Sequence, residues 1–268
     1  MQDAKIIGII TDFGNRDGFV GVMEGVILGI NPNVKIVEIS NEIGRHSILE
    51  GAFILYNTYK YFPRNTIFLV VVDPGVGSER EGVVVQTNNY FFVGPNNGVL
   101  SLAAVEDGIV KIHYLENPKF FLSKVSQTFH GRDIFAPVVA YLSKGVKPSE
   151  FGSRLPLDRF LKLNVLEYKR RYNELSGTIL YIDKFGNVIT NIPNNELTGL
   201  EIGTSIRIIV DGEKKYNGVL RRTYSEGKRN ELLLLEGSHG FIEIAINQGD
   251  AANYLNCHIG SKIDLIFD

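Results

Sequence analysis

Val70-Val71-Val72-Asp73-Pro74-Gly75-Val76-Gly77-Ser78-Glu79-Arg80 is the stretch on which the fold turns. The run from Ile67 to Val72 is almost wholly apolar and β-branched, the composition of a strand buried on both faces. A proline and two glycines follow within five residues, and such residues do not continue a strand. A carboxylate, Asp73, therefore stands at the carboxyl end of a core strand, with Arg80 seven residues further on. In open α/β sheets, ligands bind at that end of the strands. On this segment alone two roles stay open to Asp73: a group facing a ligand, or the cap of a tight turn.

Upstream, Lys5 to Ile10 reads as a first strand, ending in the polar turn Thr11-Asp12-Phe13-Gly14-Asn15-Arg16-Asp17-Gly18. Phe19, Val22, Met23, Val26, Ile27 and Ile30 then recur at helical spacing, and Val34 to Ile39 is a second strand. Strand, helix, strand in this order predicts a parallel sheet with right-handed crossovers. Asp12 thus holds the same kind of position as Asp73. A carboxylate there can accept hydrogen bonds from the hydroxyls of a ribose, and it can equally serve as a helix cap or Asx turn. No glycine-rich diphosphate fingerprint accompanies it, so a diphosphate cradle is not indicated. Ser47 through Tyr61 reads as a second helix, with Ser47 and Glu50 spaced as a capping box.

Downstream, Gly82 to Gln86 and Tyr90 to Val93 read as a hairpin turning at Asn88-Asn89. Thr128-Phe129-His130-Gly131-Arg132-Asp133 precedes a helix over Ile134 to Leu142. Of the five histidines, His130 has the most site-like surroundings, beside a glycine and just before that helix. The α/β domain is placed at 1–165 and a charged linker without apolar periodicity at 166–176. A mostly-β barrel domain follows at 177–268, built from Gly177–Ile182, Val188–Ile192, Ser205–Val210, Lys215–Leu220, Glu231–Leu235 and Phe241–Asn247. In the last of these, Ile242, Ile244 and Ile246 share one face, and Phe241, Glu243, Ala245 and Asn247 the other. That second face is either a ligand wall or a plain solvent face.

Composition narrows the function. The formal net charge of -2 and the absence of a basic stripe argue against nucleic acid. No apolar run approaches the ~20 residues of a membrane-spanning helix. The single cysteine, Cys257, excludes an internal disulfide and a multi-thiolate metal site. It fits a reducing, cytoplasmic setting. The start of the chain leads directly into a strand, so no secretory leader is expected.

Taken together, the motifs resemble the S-adenosylmethionine hydroxide adenosyltransferases, adenosine-forming hydrolases related to the fluorinases and chlorinases. The resemblance runs nearly the full length. It rests on Thr11-Asp12-Phe13-Gly14, on Val72-Asp73-Pro74-Gly75-Val76-Gly77 with Arg80, and on Thr128-Phe129-His130-Gly131-Arg132-Asp133. In the second domain it rests on Asp183-Lys184-Phe185-Gly186-Asn187-Val188-Ile189-Thr190-Asn191 and on Ile242-Glu243-Ile244-Ala245-Ile246-Asn247.

The resemblance implies a trimer whose sites lie where one copy's first domain meets the next copy's second. It implies that Asp73, Arg80 and His130 position and activate water, with no cofactor and no metal. Asp12 is implied to hold the ribose hydroxyls, and Asp183 and Ser238 to contact the methionine half. Phe185 and Asn187 are implied on the adenine side, with Tyr224, Glu243 and Asn247 as further substrate contacts. Phe129 offers an aromatic face to the sulfonium. The implied reaction is hydrolysis of S-adenosylmethionine to adenosine and methionine. The alternatives are a non-catalytic adenosine or adenosylmethionine binder, a halogenase, and a metal-dependent hydrolase using Asp12, Asp73 and His130. The halogenase relatives carry an aromatic hydroxyl at the Asp73 position and a hydroxyl-bearing pair at His130-Gly131, unlike this chain.

Overall fold

The computed structural model describes residues 5–267 and divides into two compact units between Leu163 and Asn164. The first is a three-layer α/β unit. Its strands are β1 (Ile6–Thr11), β2 (Lys35–Ser40), β3 (Ile67–Val71), β4 (Gly82–Thr87), β5 (Phe91–Pro95) and β6 (Ile109–Tyr114). They form a six-stranded sheet in the order β2-β1-β3-β5-β4-β6. The pairs β1–β2, β1–β3 and β3–β5 are parallel, while β4 runs antiparallel to both neighbours. The hairpin expected at Asn88-Asn89 joins β4 to β5, with Thr87 N–H donating to the Tyr90 carbonyl.

The helices are α1 (Phe19–Ile30), α2 (Ile48–Thr58), α3 (Ser101–Glu106) and α4 (Ala136–Ser143). Successive residues of β3 point to opposite faces, and each face has its own core. Leu69 and Val71 pack with Met23, Ile27 and Val139, from α1 and α4. Phe68, Val70 and Val72 pack with Leu55 and Ala103, from α2 and α3. A strand buried on both faces must be apolar throughout, and all five residues of β3 are buried.

Two local expectations are revised. Ser47 makes no side-chain cap on α2; the Glu50 carboxylate reaches past it to accept from the Gly44 N–H at 3.0 Å. Phe19 and Val22, read as part of the buried stripe of α1, are 44% and 46% exposed.

The second unit is a closed barrel. Its strands are β7 (Lys169–Arg171), β8 (Glu174–Ile182), β9 (Val188–Pro193), β10 (Ser205–Val210), β11 (Lys214–Leu220), β12 (Leu232–Glu236), β13 (Phe241–Ile246) and β14 (Lys262–Phe267). The order β14-β10-β11-β12-β13-β9-β8 closes through a β14–β8 pairing, and β7 adds to β8 as a hairpin. Closure removes the open edges that a sheet of this size otherwise presents. Ile208, Leu234, Ile242, Ile244, Ile263 and Leu265 fill the interior. The short helix α5 (Ala251–Leu255) is capped by Asp250, which accepts from the Asn253 N–H. The stretch 166–176, read from sequence as a linker, holds β7 and the first residues of β8, with Tyr172 in the left-handed region at the turn. β14 was not anticipated. Among the described residues no helix is long and apolar enough to cross a membrane.

Candidate active site

The sheet order fixes where a site can form. From β1 the chain crosses to β2 on one side, then returns past β1 to β3 on the other. The crevice between β1 and β3 is therefore the topological switch point, where α/β sheets bind ligands at the carboxyl ends of their strands. Thr11 and Val71 are paired across these strands. Asp12 and Asp73 follow one and two residues later, so both carboxylates leave the sheet into the same crevice.

The turn after β3 is closed without the Asp73 side chain. The Asp73 backbone carbonyl accepts from the Val76 N–H at 3.2 Å, and Ser78 closes a second turn onto the Gly75 carbonyl. The Asp73 carboxylate takes no part in capping. Instead Arg80 Nε donates to Asp73 Oδ1 at 2.8 Å and the same guanidinium donates to Oδ2, a two-point pairing. The fold of the turn depends on Gly77. Its φ is +77°, and a Cβ there would lie 2.3 Å from the Gln127 carbonyl oxygen, so only glycine fits.

His130 completes the group from a distant segment. It precedes a π-helical turn, Gly131–Phe135, that feeds into α4. Its Nδ1 lies 3.0 Å from the Arg80 guanidinium. A guanidinium only donates, so Nδ1 accepts and the ring's proton sits on Nε2. A backbone hydrogen bond with Ser126 favours the charged imidazolium, but only weakly. Burial, and then the Arg80 charge, push the His130 pKa below its ordinary value, against weaker opposing effects from Asp73 and Asp133. The imidazole is thus held neutral with its single lone pair already engaged. Phe135 packs 5.1 Å beneath the Arg80 guanidinium.

The loop carrying His130 is tied down by fully buried Asp133. Arg132 Nε donates to Asp133 at 2.6 Å, and the Ser126 N–H and Oγ–H donate at 2.8 and 2.7 Å. Burial alone raises the Asp133 pKa, but these hydrogen bonds outweigh it and hold the carboxyl below the usual range.

A cavity of about 300 Å³ opens over this arrangement, lined by Asp12, Asp73, Phe129 and His130. It also presents Phe13, Asp17, Phe19 and His46, which the sequence reading did not select. Asp17 lies in the same turn as Asp12, and Phe19, at a core-stripe position of α1 by spacing, turns its ring to the cavity instead. Phe13, Phe19 and Phe129 form a ring cluster with centroids 5.2 to 5.6 Å apart. Asp12 is no helix cap: it accepts the His46 N–H at 2.9 Å, while α1 has no side-chain cap at all. Among the described residues no group of three or more histidine, cysteine or carboxylate side chains could hold a metal ion.

The second unit presents its own cluster. Asp183 folds the loop between β8 and β9 onto itself. Its Oδ1 accepts the Phe185 and Asn187 N–H groups at 2.8 and 2.9 Å, and its Oδ2 accepts Asn187 Nδ2 at 2.9 Å. Gly186, at φ +81°, lets the loop pass Asp250. Asn187 is thereby buried, and the Phe185 ring stands 66% exposed. Ser238 is exposed in the β12–β13 turn. Tyr224 donates its hydroxyl to buried Glu243, and Asn247 Nδ2 donates to the Gly227 carbonyl at 2.7 Å. Burial first, then the nearby Asp183 charge, raise the Glu243 pKa, against the Tyr224 hydrogen bond. The structure therefore gathers Asp12, Asp73, Arg80, Phe129 and His130 in one unit. Asp183, Tyr224 and Glu243 interact in the other, where Asp183 also orders Phe185 and Asn187.

Comparison with known proteins places the chain among relatives over nearly its whole length. Residues 7–152 match the family model described as the SAM hydroxide adenosyltransferase N-terminal domain, and residues 177–264 match its C-terminal domain. An (R)-S-adenosyl-L-methionine hydrolase of Methanocaldococcus jannaschii is 35% identical over 273 residues, spanning 98% of this chain and 96% of its own. A protein of that name from Salinispora tropica is 31% identical, spanning 98% of both chains. A fluorinase of an Actinoplanes species is 27% identical, spanning 96% of each. Among solved structures, an uncharacterized conserved protein from Thermotoga maritima superposes with a TM-score of 0.90 at 37% identity, covering 97% of this chain and 99% of that one.

Proposed function

The chain belongs to the SAM hydroxide adenosyltransferase family, and from that premise we propose that it is an enzyme hydrolysing S-adenosyl-L-methionine to adenosine and L-methionine. The observation that carries the reading is the Arg80 guanidinium bridging Asp73 and His130 beside Asp12, at the switch point of the sheet.

The chemistry suits these residue types. A water oxygen attacks the ribose C5′, and the C5′–S bond breaks with its electron pair going to sulfur. Methionine leaves as a neutral thioether, so the leaving group needs no acid. What remains is to hold the water in line and to take its proton. His130 has its only lone pair on Arg80 in this arrangement, so the proton goes to Asp73. Arg80 keeps that carboxylate oriented, and His130 holds Arg80. Asp12 binds the ribose hydroxyls, and the Phe13, Phe19 and Phe129 rings face the sulfonium. Asp183 and Ser238 take the methionine half, with Phe185, Asn187 and Tyr224 on the adenine side. Because these two sets of residues lie on different units, we place the complete site between neighbouring copies of a homotrimer. A cytoplasmic location fits the lone, half-buried Cys257.

Incubation with S-adenosylmethionine, followed by chromatography, is expected to show adenosine and methionine in equal amounts. An ionised Asp73 repels a halide, so chloride or fluoride should leave that product unchanged. A 5′-haloadenosine as the main product would overturn the hydrolase reading. Tight adenosine binding without turnover would favour a binding protein instead.

A further inference from the structure

Strand β13 and the residue that follows it each use a polar side chain in the same way. Ile242, Ile244 and Ile246 point into the barrel. Glu243 and Asn247 lie on the opposite side, where the connection from β11 to β12 passes over them. Glu243 receives the Tyr224 hydroxyl, and Asn247 donates to the carbonyl of Gly227, three residues further along the same connection. Gly227 is itself buried, and a Cβ there would meet Leu233 at 2.6 Å. One short turn, Tyr224–Glu226, is thus pinned on both sides, from β13 and from the turn that follows it.

Two features of Glu243 are costly for a purely structural residue. It is 3% exposed, and a second carboxylate, Asp183, acts on it unfavourably. A barrel wall has no need of a charge at that point, since its neighbours across the strand, Leu235 and Ile189, are apolar. A buried carboxyl kept despite such neighbours marks a functional position more often than a structural one. Its partner shows what it does. The Tyr224 ring is 47% exposed, on a turn that is part of no strand, and it interacts with Asp183, which also orders Phe185.

We propose that Glu243 is a positioning residue: it fixes the Tyr224 ring as one aromatic wall of the substrate half-site, while Asn247 holds the far end of the same turn. Neither side chain touches substrate. This rests on the hydrolase reading above and reassigns two residues first taken as substrate contacts. The wall faces a flat, apolar ligand surface, the purine rather than the charged methionine half.

The test uses the full-length protein with Glu243→Ala, Glu243→Gln, Tyr224→Phe and the Glu243→Ala/Tyr224→Phe double variant. Loss of the hydrogen bond is expected to raise KM for S-adenosylmethionine by about fivefold in either single variant, the scale of one net hydrogen bond, with kcat nearly unchanged. The double variant should be no worse than the singles. Glu243→Gln, which can still accept the hydroxyl, should recover most of the loss. A KM rise in Glu243→Ala that Tyr224→Phe does not share, or a matching fall in kcat, would overturn the proposal in favour of direct contact. Hydrogen exchange over residues 221–231 is read without any turnover. Faster exchange is expected in Glu243→Ala and Tyr224→Phe and not in Glu243→Gln, and unchanged exchange in the first two would also overturn the proposal. Absence of adenosine from the wild-type protein would instead sink the hydrolase reading while the exchange measurement still decides this one. Tyr224→Phe removes one oxygen from a half-exposed side chain, so a variant remains even where Glu243→Ala does not fold.

Discussion

At the scale of single residues, the group Asp73–Arg80–His130 divides its labour by what each side chain can donate or accept. Asp73 and Arg80 are 5% and 12% exposed at their side chains. Cutting such a pair leaves a charge with no partner, a loss on the order of 3–5 kcal/mol. Asp73→Asn also loses the charge but keeps an oxygen that can accept from Arg80, and so is a cleaner probe than Asp73→Ala. It is expected to lower kcat by about 10²–10⁴-fold, the range of a general base, with KM changed little, as measured by adenosine release. His130 predicts a pH dependence. Its pKa lies below the ordinary histidine value of 6.5 because burial and Arg80 disfavour the imidazolium. Protonation puts a second N–H against the guanidinium, so kcat should fall on the acid side with a midpoint below 6.5. The same sign applies to stability: the folded state binds this proton more weakly than the unfolded chain, so His130's contribution fades as pH falls through that window. In His130→Ala this acid limb should vanish from the pH–rate profile.

At the scale of elements, the turn from Asp73 to Arg80 makes the sharpest prediction. Gly77→Ala forces a Cβ against the Gln127 carbonyl in a left-handed backbone. It is expected to cost about 1–3 kcal/mol, read as a lower Tm, and to reduce kcat by displacing Arg80. What the sequence disclosed follows from locality. Ile67–Val72 was legible because a strand buried on both faces has to be apolar, and Asp73 with Arg80 because they sit on one turn. The Arg80–His130 contact joins residues fifty positions apart, and no local pattern encodes it; only the resemblance to a family suggested it. β7 was invisible because Lys169, Arg170 and Arg171 are all exposed and charged, held as a strand by β8 alone. β14 did carry a signal, with Ile263 and Leu265 alternating against Lys262 and Asp264, but it is short and isolated. The outward face of β13 was read correctly as a face; what covers it depends on a connection that strand periodicity does not describe.

At the scale of the whole molecule, the proposed assembly can be tested by complementation. Light scattering should report three copies. If each site takes Asp73 from one copy and Asp183 from another, Asp73→Asn and Asp183→Ala preparations, both inactive alone, should regain activity when unfolded and refolded together. Failure to regain activity in verified mixed trimers would place both residues of each site in one copy. The closed barrel carries a further consequence. Glu174–Thr178 pairs with Lys262–Ile266, so its first long strand waits for its last. Long-range pairing of this kind forms late and slowly. On the ribosome, the α/β unit, complete by Leu163, is free to fold while the barrel is still a string of unpaired strands. Nascent chains arrested before Lys262 should therefore expose β8 to chaperones and proteases, and closure should come as one late event once β14 emerges.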